Sequence, residues 1–202
     1  GPEDSTGIRL NGGRPSLTLN PGRIAPLHPA FAGDGPHHWV PSRKTLAAEF
    51  ELRGQRLFVI VCHFKSMRSL TRREEDYAKK QRHAQAEIVH YFAADLLACD
   101  PRAAIVVLGD LNDVPGSKTL KILKGDLFHN LLEDLPRGQG YTRRHGGRPQ
   151  ALDHILVSPA LRLGAAAHIP HVNSDAGPGK PEPASDHDPV LARLPAWANL
   201  DA

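Results

Sequence analysis

The stretch Val106–Ser117 reads VVLGDLNDVPGS. It ends a longer run, Ala103–Asp110, that is apolar, short and β-branched, as a fully buried strand is. The run stops on Gly109 and Asp110, with Asn112 just beyond, before the turn residues Pro115 and Gly116. A buried strand that finishes on a carboxylate and an amide delivers those groups to the end of a sheet, where loops converge on ligands.

Upstream, a helical segment from about Arg73 to Ala98 sets Ala84, Ile88, Tyr91, Phe92, Leu96 and Leu97 at three- and four-residue spacings, and Asp100-Pro101 ends it. Before it, RLFVIVCHF (56–64) is a second continuous apolar strand. TLAAEFEL (45–52) is a third, joined to the second through a turn at Arg53-Gly54 as a hairpin. Strand, helix, strand in this order implies a crossover, with the two strands neighbours in one sheet and the helix on its face. Downstream, Ser117 is placed to cap a short helix over Ser117–Leu123. GYTRRH, LDHILVS, AAAHIPHV and PVLARL read as four further strands, the last two separated by the loop NSDAGPGKPEPA. Residues 1–42 carry many turn signals and read as loops with short strands near Ile8–Leu10 and Leu17–Leu19. They belong to the same domain as residues 43–196, and residues 197–202 form a tail. The fold class is α/β (α+β).

The 202 residues suffice for one large domain with a real core. A net charge of +3 permits a polyanionic partner without demanding one. No apolar run reaches membrane-spanning length, and no secretory apolar region is present. Cys62 and Cys99 both sit in apolar surroundings and read as buried thiols, not as a disulfide.

Four polar clusters lie at or beside strand ends: His63 and Lys65 in VCHFKS, Asp110 and Asn112 in LGDLND, Asp153 and His154 in ALDHIL, and Asp186, His187 and Asp188 in ASDHDPV. Any one alone is ordinary turn or cap chemistry; four in one chain point to a site. Carboxylates suit a hard divalent cation, histidine suits a general base or a phosphate contact, and lysine adds positive charge. There is no Cys-His spacing for structural zinc, no P-loop and no G-x-S-x-G elbow. Metal-assisted attack on a phosphate ester fits this inventory best. Asp153 and His154 point to opposite sides of their strand, and Asp153 is the one expected in the site. Asp188 is expected to pair locally or cap the turn before Pro189. His37, His38, His83 and His90 read as surface residues. Arg72-Arg73 and Arg143-Arg144 read either as a solvated face or as contacts to a nucleic-acid backbone.

HFKS, GDLND, LDHILVS and SDHDPV, in that order, resemble the endonuclease/exonuclease/phosphatase superfamily over Arg43–Leu194. Pancreatic-type deoxyribonucleases, abasic-site endonucleases, inositol polyphosphate 5-phosphatases and sphingomyelinases are among its members. SRKTLAAEFEL and HIPHVNSD look most like its bacterial extracellular-nuclease branch. The resemblance implies a DNase I-like sandwich of two sheets flanked by helices. It implies His187 as the general base toward water and Asp153 as the partner that fixes its tautomer. Asp186 would face the metal, and Asp110 and Asn112 would orient the nucleophile and the scissile phosphate. His63 would contact the phosphate or the leaving oxygen, with Lys65 close by. Magnesium is the implied cofactor, with manganese or calcium as alternatives, and nucleic acid, DNA or RNA, the implied substrate. Hydrolysis of a lipid or inositol phosphate is the alternative activity, and a non-catalytic module the alternative class. The branch also implies a secreted or periplasmic protein. The superfamily's N-terminal half supplies an Asn strand and a Gln-Glu strand whose Glu is the principal metal ligand. Neither is found here, since Glu3 and Glu49 do not stand in that context. The expectation is therefore a C-terminal portion, with a degenerate N-terminal part as the alternative, whose metal affinity is weakened to the point that this chain alone is inactive and whose bared sheet face favours self-association.

Overall fold

The computed structural model describes residues 5–24, 44–52, 54–175 and 182–195. Glu3, His37, His38 and the expected tail lie outside them. In chain order the elements are β1 (Ser5–Thr6), β2 (Ile8–Asn11), β3 (Arg14–Leu17), β4 (Gly22–Ile24), β5 (Leu46–Leu52), β6 (Gln55–His63), α1 (Arg72–Cys99), β7 (Ala104–Asp110), α2 (Lys118–Lys124), β8 (His129–Asn130), β9 (Arg143–His145), β10 (Arg148–Gln150), β11 (Asp153–Val157), α3 (Pro159–Arg162), β12 (Ala166–His168) and β13 (Leu191–Arg193).

Seven strands form the central sheet in the order β1-β4-β5-β6-β7-β11-β8. β5 and β6 are the expected antiparallel hairpin, and β6 and β7 pair in parallel across the α1 crossover. The strand alternation gives this sheet two different faces. On one, Phe58, Ile60, Ile105 and Val107 pack against Val89, Phe92 and Leu96 of α1 and Leu120 and Leu123 of α2. On the other, Leu57, Val106, Ile155 and Val157 pack against Leu161 of α3, Ala167 of β12 and Val190 and Leu194 around β13. β12 and β13 pair as a small second sheet, so the chain is a large sheet flanked by helices with a second β layer.

Helix α1 starts where its sequence provides a cap. Thr71 Oγ1 accepts the Glu74 N–H, and the Glu74 carboxylate accepts the Thr71 N–H in return. Its buried face includes Ala78, Arg82, Gln85, Val89, Phe92 and Leu96. Two of these are polar, and both point to the segment that follows β6. Tyr91 and Cys99, expected to be buried, are exposed: Tyr91 falls on the solvent side of the helical period, and Cys99 is the last residue of the helix. Cys62 is buried as expected, and burial pushes its thiol up to about 12. His90, expected at the surface, is half-buried, with Nδ1 at 3.2 Å from Leu123 O between α1 and α2.

One part of the second face is uncovered among the described residues. Leu46, Phe50 and Leu52 of β5 and Val61 of β6 share that face by alternation and register, and all four are exposed. Glu49 points the other way, where Oε2 accepts from Ser16 Oγ and the Leu17 N–H and Oε1 pairs with Arg56 Nε at 3.3 Å.

Candidate active site

Register alone assembles most of the site. His63 is opposite Asp110 across the β6–β7 pair, and Asp110 is opposite Asp153 across the β7–β11 pair. Three adjacent strands thus set His63, Asp110 and Asp153 side by side on the second face, spanning two strand spacings, about 10 Å. His187 completes the row from a loop. It forms an isolated bridge with Arg143, and its Nδ1–H donates to Asp153 Oδ2 at 2.6 Å. Donor atoms of Asp110, Asp153 and His187 all lie within 4.8 Å of one another.

The local sequence explains why Asp110 sits where it does. Gly109 has φ +130°, and a Cβ there would lie 2.0 Å from Cys62 O. Only glycine permits that approach of β7 to β6. Asn112 is the one non-glycine residue with positive φ (50°) among the described residues, a conformation that Asn tolerates. Its N–H donates to Asp110 Oδ1 at 2.9 Å, and its Nδ2 donates to Asp110 Oδ2 at 3.0 Å and to Phe64 O at 3.1 Å. Both amide hydrogens are thereby spent. Asn112, expected to orient nucleophile and phosphate, is buried and grips Asp110 and the end of β6. Burial raises the Asp110 carboxyl above the usual range. The Asp153 charge adds to the rise, while the Asn112 N–H and the imidazoles of His187 and His63 oppose it. His63 is half-exposed, with Nε2 at 3.4 Å from Asp110 Oδ2.

Asp153 is held by a residue the motifs did not single out. Thr142 Oγ1 donates to Asp153 Oδ2 at 2.6 Å and accepts the N–H groups of Leu152 and Asp153 at 3.1 and 3.2 Å. The next residue on β11, His154, turns to the opposite face and is buried. Asn130 Nδ2 donates to its Nδ1, and its Nε2–H donates to Asp113 O. Burial holds that imidazole below its ordinary value, so it is a neutral structural histidine.

The last motif divides its labour. Asp186 stands apart from the cluster: its carboxylate is 66 % exposed and pairs with Arg143 Nη2 at 2.8 Å. Asp186, expected to face the metal, is not among the grouped side chains, which are those of Asp110, Asp153 and His187. Asp188, expected to bond locally, instead reaches back across the Gly/Pro-rich loop. It accepts from His171 Nδ1, from the Asn173 and Ser174 N–H groups and, by a short contact, from Ser174 Oγ. Its own N–H donates to Thr142 O at 2.7 Å, and Asn173 Nδ2 donates to His187 O at 2.6 Å. Burial works to raise the Asp188 carboxyl, but this set of donors outweighs it and keeps the group below the usual range.

Lys65 follows the row at its His63 end. Its N–H donates to Gln85 Oε1 at 2.8 Å, and its carbonyl accepts from Arg82 Nη1 at 3.3 Å. Arg82 also pairs with Asp113 Oδ2 at 3.3 Å, so the two buried polar residues of α1 brace this segment. A cavity of about 880 Å³ lies at the other end of the sheet, lined by Arg14, Arg56, Arg102 and Leu161 among others. None of the candidate residues lines it.

Two carboxylates and an imidazole within reach of one another are donors that a hard divalent cation accepts. Such a charge would favour the ionised form of the raised Asp110 carboxyl.

Residues 11–187 match the sequence profile of the Endonuclease/Exonuclease/phosphatase family. No curated protein matches the sequence significantly. Solved structures resemble the fold. The 3'-5' exonuclease NExo of Neisseria meningitidis superposes with a TM-score of 0.58 at 22% identity, over 79% of this chain and 69% of its own. Truncated TDP2 of Caenorhabditis elegans gives 0.56 at 19%, over 74% of this chain and 58% of its own. Sphingomyelinase C of Streptomyces griseocarneus gives 0.53 at 20%, over 74% and 57%.

Proposed function

The chain belongs to the endonuclease/exonuclease/phosphatase family, and from that premise we propose that it is a divalent-metal-dependent phosphodiesterase whose substrate is a nucleic acid. The observation that carries the reading is the His187–Asp153 pair beside Asp110. With Nδ1–H committed to Asp153, Nε2 is the free basic nitrogen of His187. That atom takes a proton from the water that attacks phosphorus, and Asp153 stabilises the imidazolium that results. Thr142 keeps the Asp153 carboxylate turned to the ring. His63, at the other end of the row, donates to a phosphate oxygen or to the leaving oxygen in this reading, which its position opposite Asp110 supports. Lys65 adds positive charge beside it. Asp110, supported by Asp153, would hold the cation, which when bound neutralises charge on the phosphate as a Lewis acid.

The choice of nucleic acid draws on the motif resemblance and on the similarity to an exonuclease fold. Incubation of the protein with supercoiled plasmid and magnesium, wild type against His187→Ala, tests it. Nicking by the wild type that falls at least 100-fold in the variant is expected; equal cleavage by both overturns the reading.

A further inference from the structure

Two cationic segments are rooted at the two ends of the row. At the His63 end, residues 64–73 carry Lys65, Arg68, Arg72 and Arg73 with no acidic residue, and the three arginines are exposed. Of the three acidic residues that follow, Glu74 and Glu75 are engaged at the start of the helix and Asp76 is exposed. Glu74 accepts the N–H groups of Leu70 and Thr71, and Glu75 pairs with Lys79 at 2.6 Å. At the His187 end, residues 135–152 carry Arg137, Arg143, Arg144, His145 and Arg148, again with no acidic residue. The β9–β10 hairpin grows directly from Thr142, which holds Asp153, and Arg143 bridges to His187. Arg144 is held by Asp175 at 2.9 Å and lies 4.5 Å over the Tyr141 ring, so its charge is partly answered. Arg143 pairs with Asp186, yet its Nε is buried with no acceptor among the described residues. His145 and Arg148 flank the Gly146-Gly147 tip and are exposed.

We infer that the 64–73 segment and the 141–150 hairpin are the two walls of a track for a nucleic-acid strand, which they grip through phosphates on either side of the one presented to the row. This rests on the phosphodiesterase reading above. A substrate with a single phosphate cannot reach both walls across a row of about 10 Å. A strand that carries a charge about every 3.4 Å of its length meets both at once. The hairpin presents no exposed large apolar residue, whereas the other wall exposes Leu70 at 97 %, so binding to an anionic membrane is an outcome the test must separate.

The test separates binding from hydrolysis. Fluorescence anisotropy of a labelled oligonucleotide, single- and double-stranded, in EDTA compares the wild type with Arg68→Ala/Arg148→Ala, one residue from each wall. Arg102→Ala, at the far end of β7, serves as the control of equal charge type. In parallel, hydrolysis of bis(4-nitrophenyl) phosphate with magnesium is measured for all three. The double variant is expected to lose at least about 10-fold in affinity and to lower the salt slope of binding by roughly 1.5. Arg102→Ala binds as wild type, and small-diester rates stay within about twofold throughout. Equal binding by the double variant and wild type overturns the track. So does a wild type that hydrolyses the small diester but binds no oligonucleotide, or that loses anionic-vesicle affinity, and not oligonucleotide affinity, in the double variant. Wall-dependent binding with no small-diester hydrolysis supports the track and refutes the phosphodiesterase reading alone.

Discussion

Thr142 shows how much of the site depends on one hydroxyl. Its Oγ1 satisfies the N–H groups of Leu152 and Asp153 and fixes Asp153 against His187. Thr142→Val is expected to cost roughly 2–4 kcal/mol, because two buried donors lose their acceptor, and to slow hydrolysis by about 10- to 100-fold. Thr142→Ser restores most of both; urea melts and rate measurements on the pair check this. Two aspartates give opposite pH signatures. Asp188 has a lowered folded value, so its stabilisation is present above the unfolded value of about 3.9 and is lost as pH falls through the folded one. Asp188→Asn should therefore be about 2–4 kcal/mol less stable than wild type at pH 7, with the gap narrowing below about pH 4. Asp110 has a raised folded value, so its contribution is present below about 3.9 and is lost as pH rises through the folded value. A divalent cation should accordingly raise Tm at pH 7 and do so little at pH 4, as differential scanning would show. At this scale the sequence made Asp110, Asp153 and His187 legible because each carries distinctive chemistry at a strand end. Thr142 was not legible, since a Thr in a short strand looks like β-branched filler. The reach of Asp188 was not legible either, since its partners lie 14 to 17 positions away behind a Gly/Pro-rich loop.

At the scale of elements, the approach of β7 to β6 governs the row. Gly109→Ala would drive a Cβ to 2.0 Å from the Cys62 carbonyl oxygen at a φ that L-residues avoid. It is expected to cost at least about 2 kcal/mol and to displace Asp110 from His63. A lowered denaturation midpoint together with loss of the cation-dependent rise in Tm checks this. The hairpin β5–β6, the crossover through α1 and the cap at Ser117 were readable, because apolar runs and turn residues of ordinary length mark them. β8, β10 and α3 were not readable, since two to four residues are too few to show a period. Arg82 and Gln85 broke the apolar pattern of α1 for a reason only tertiary structure supplies: they brace the Lys65 backbone.

At the scale of the whole molecule, one sheet carries both the core and the site, and its second face changes character along its width. Near β7 and β11 it is packed under α3 and β12, while toward β5 it leaves Leu46, Phe50, Leu52 and Val61 exposed. We expect this strip to promote association between copies of the chain. Phe50→Thr/Leu52→Thr should lower the sedimentation-derived association at high concentration and change Tm by no more than a few degrees, since both side chains are already exposed. The order of the four motifs made the family and the sheet-and-helix architecture legible at this scale, because each motif ties distinctive chemistry to the end of an apolar run. In the proposed reaction Asp153 and His187 act as one unit on a phosphodiester. A double-mutant cycle on bis(4-nitrophenyl) phosphate hydrolysis tests it most directly. Asp153→Asn/His187→Ala is expected to be as slow as His187→Ala alone, within about threefold. Losses that multiply, or single variants that hydrolyse as fast as the wild type, would contradict it.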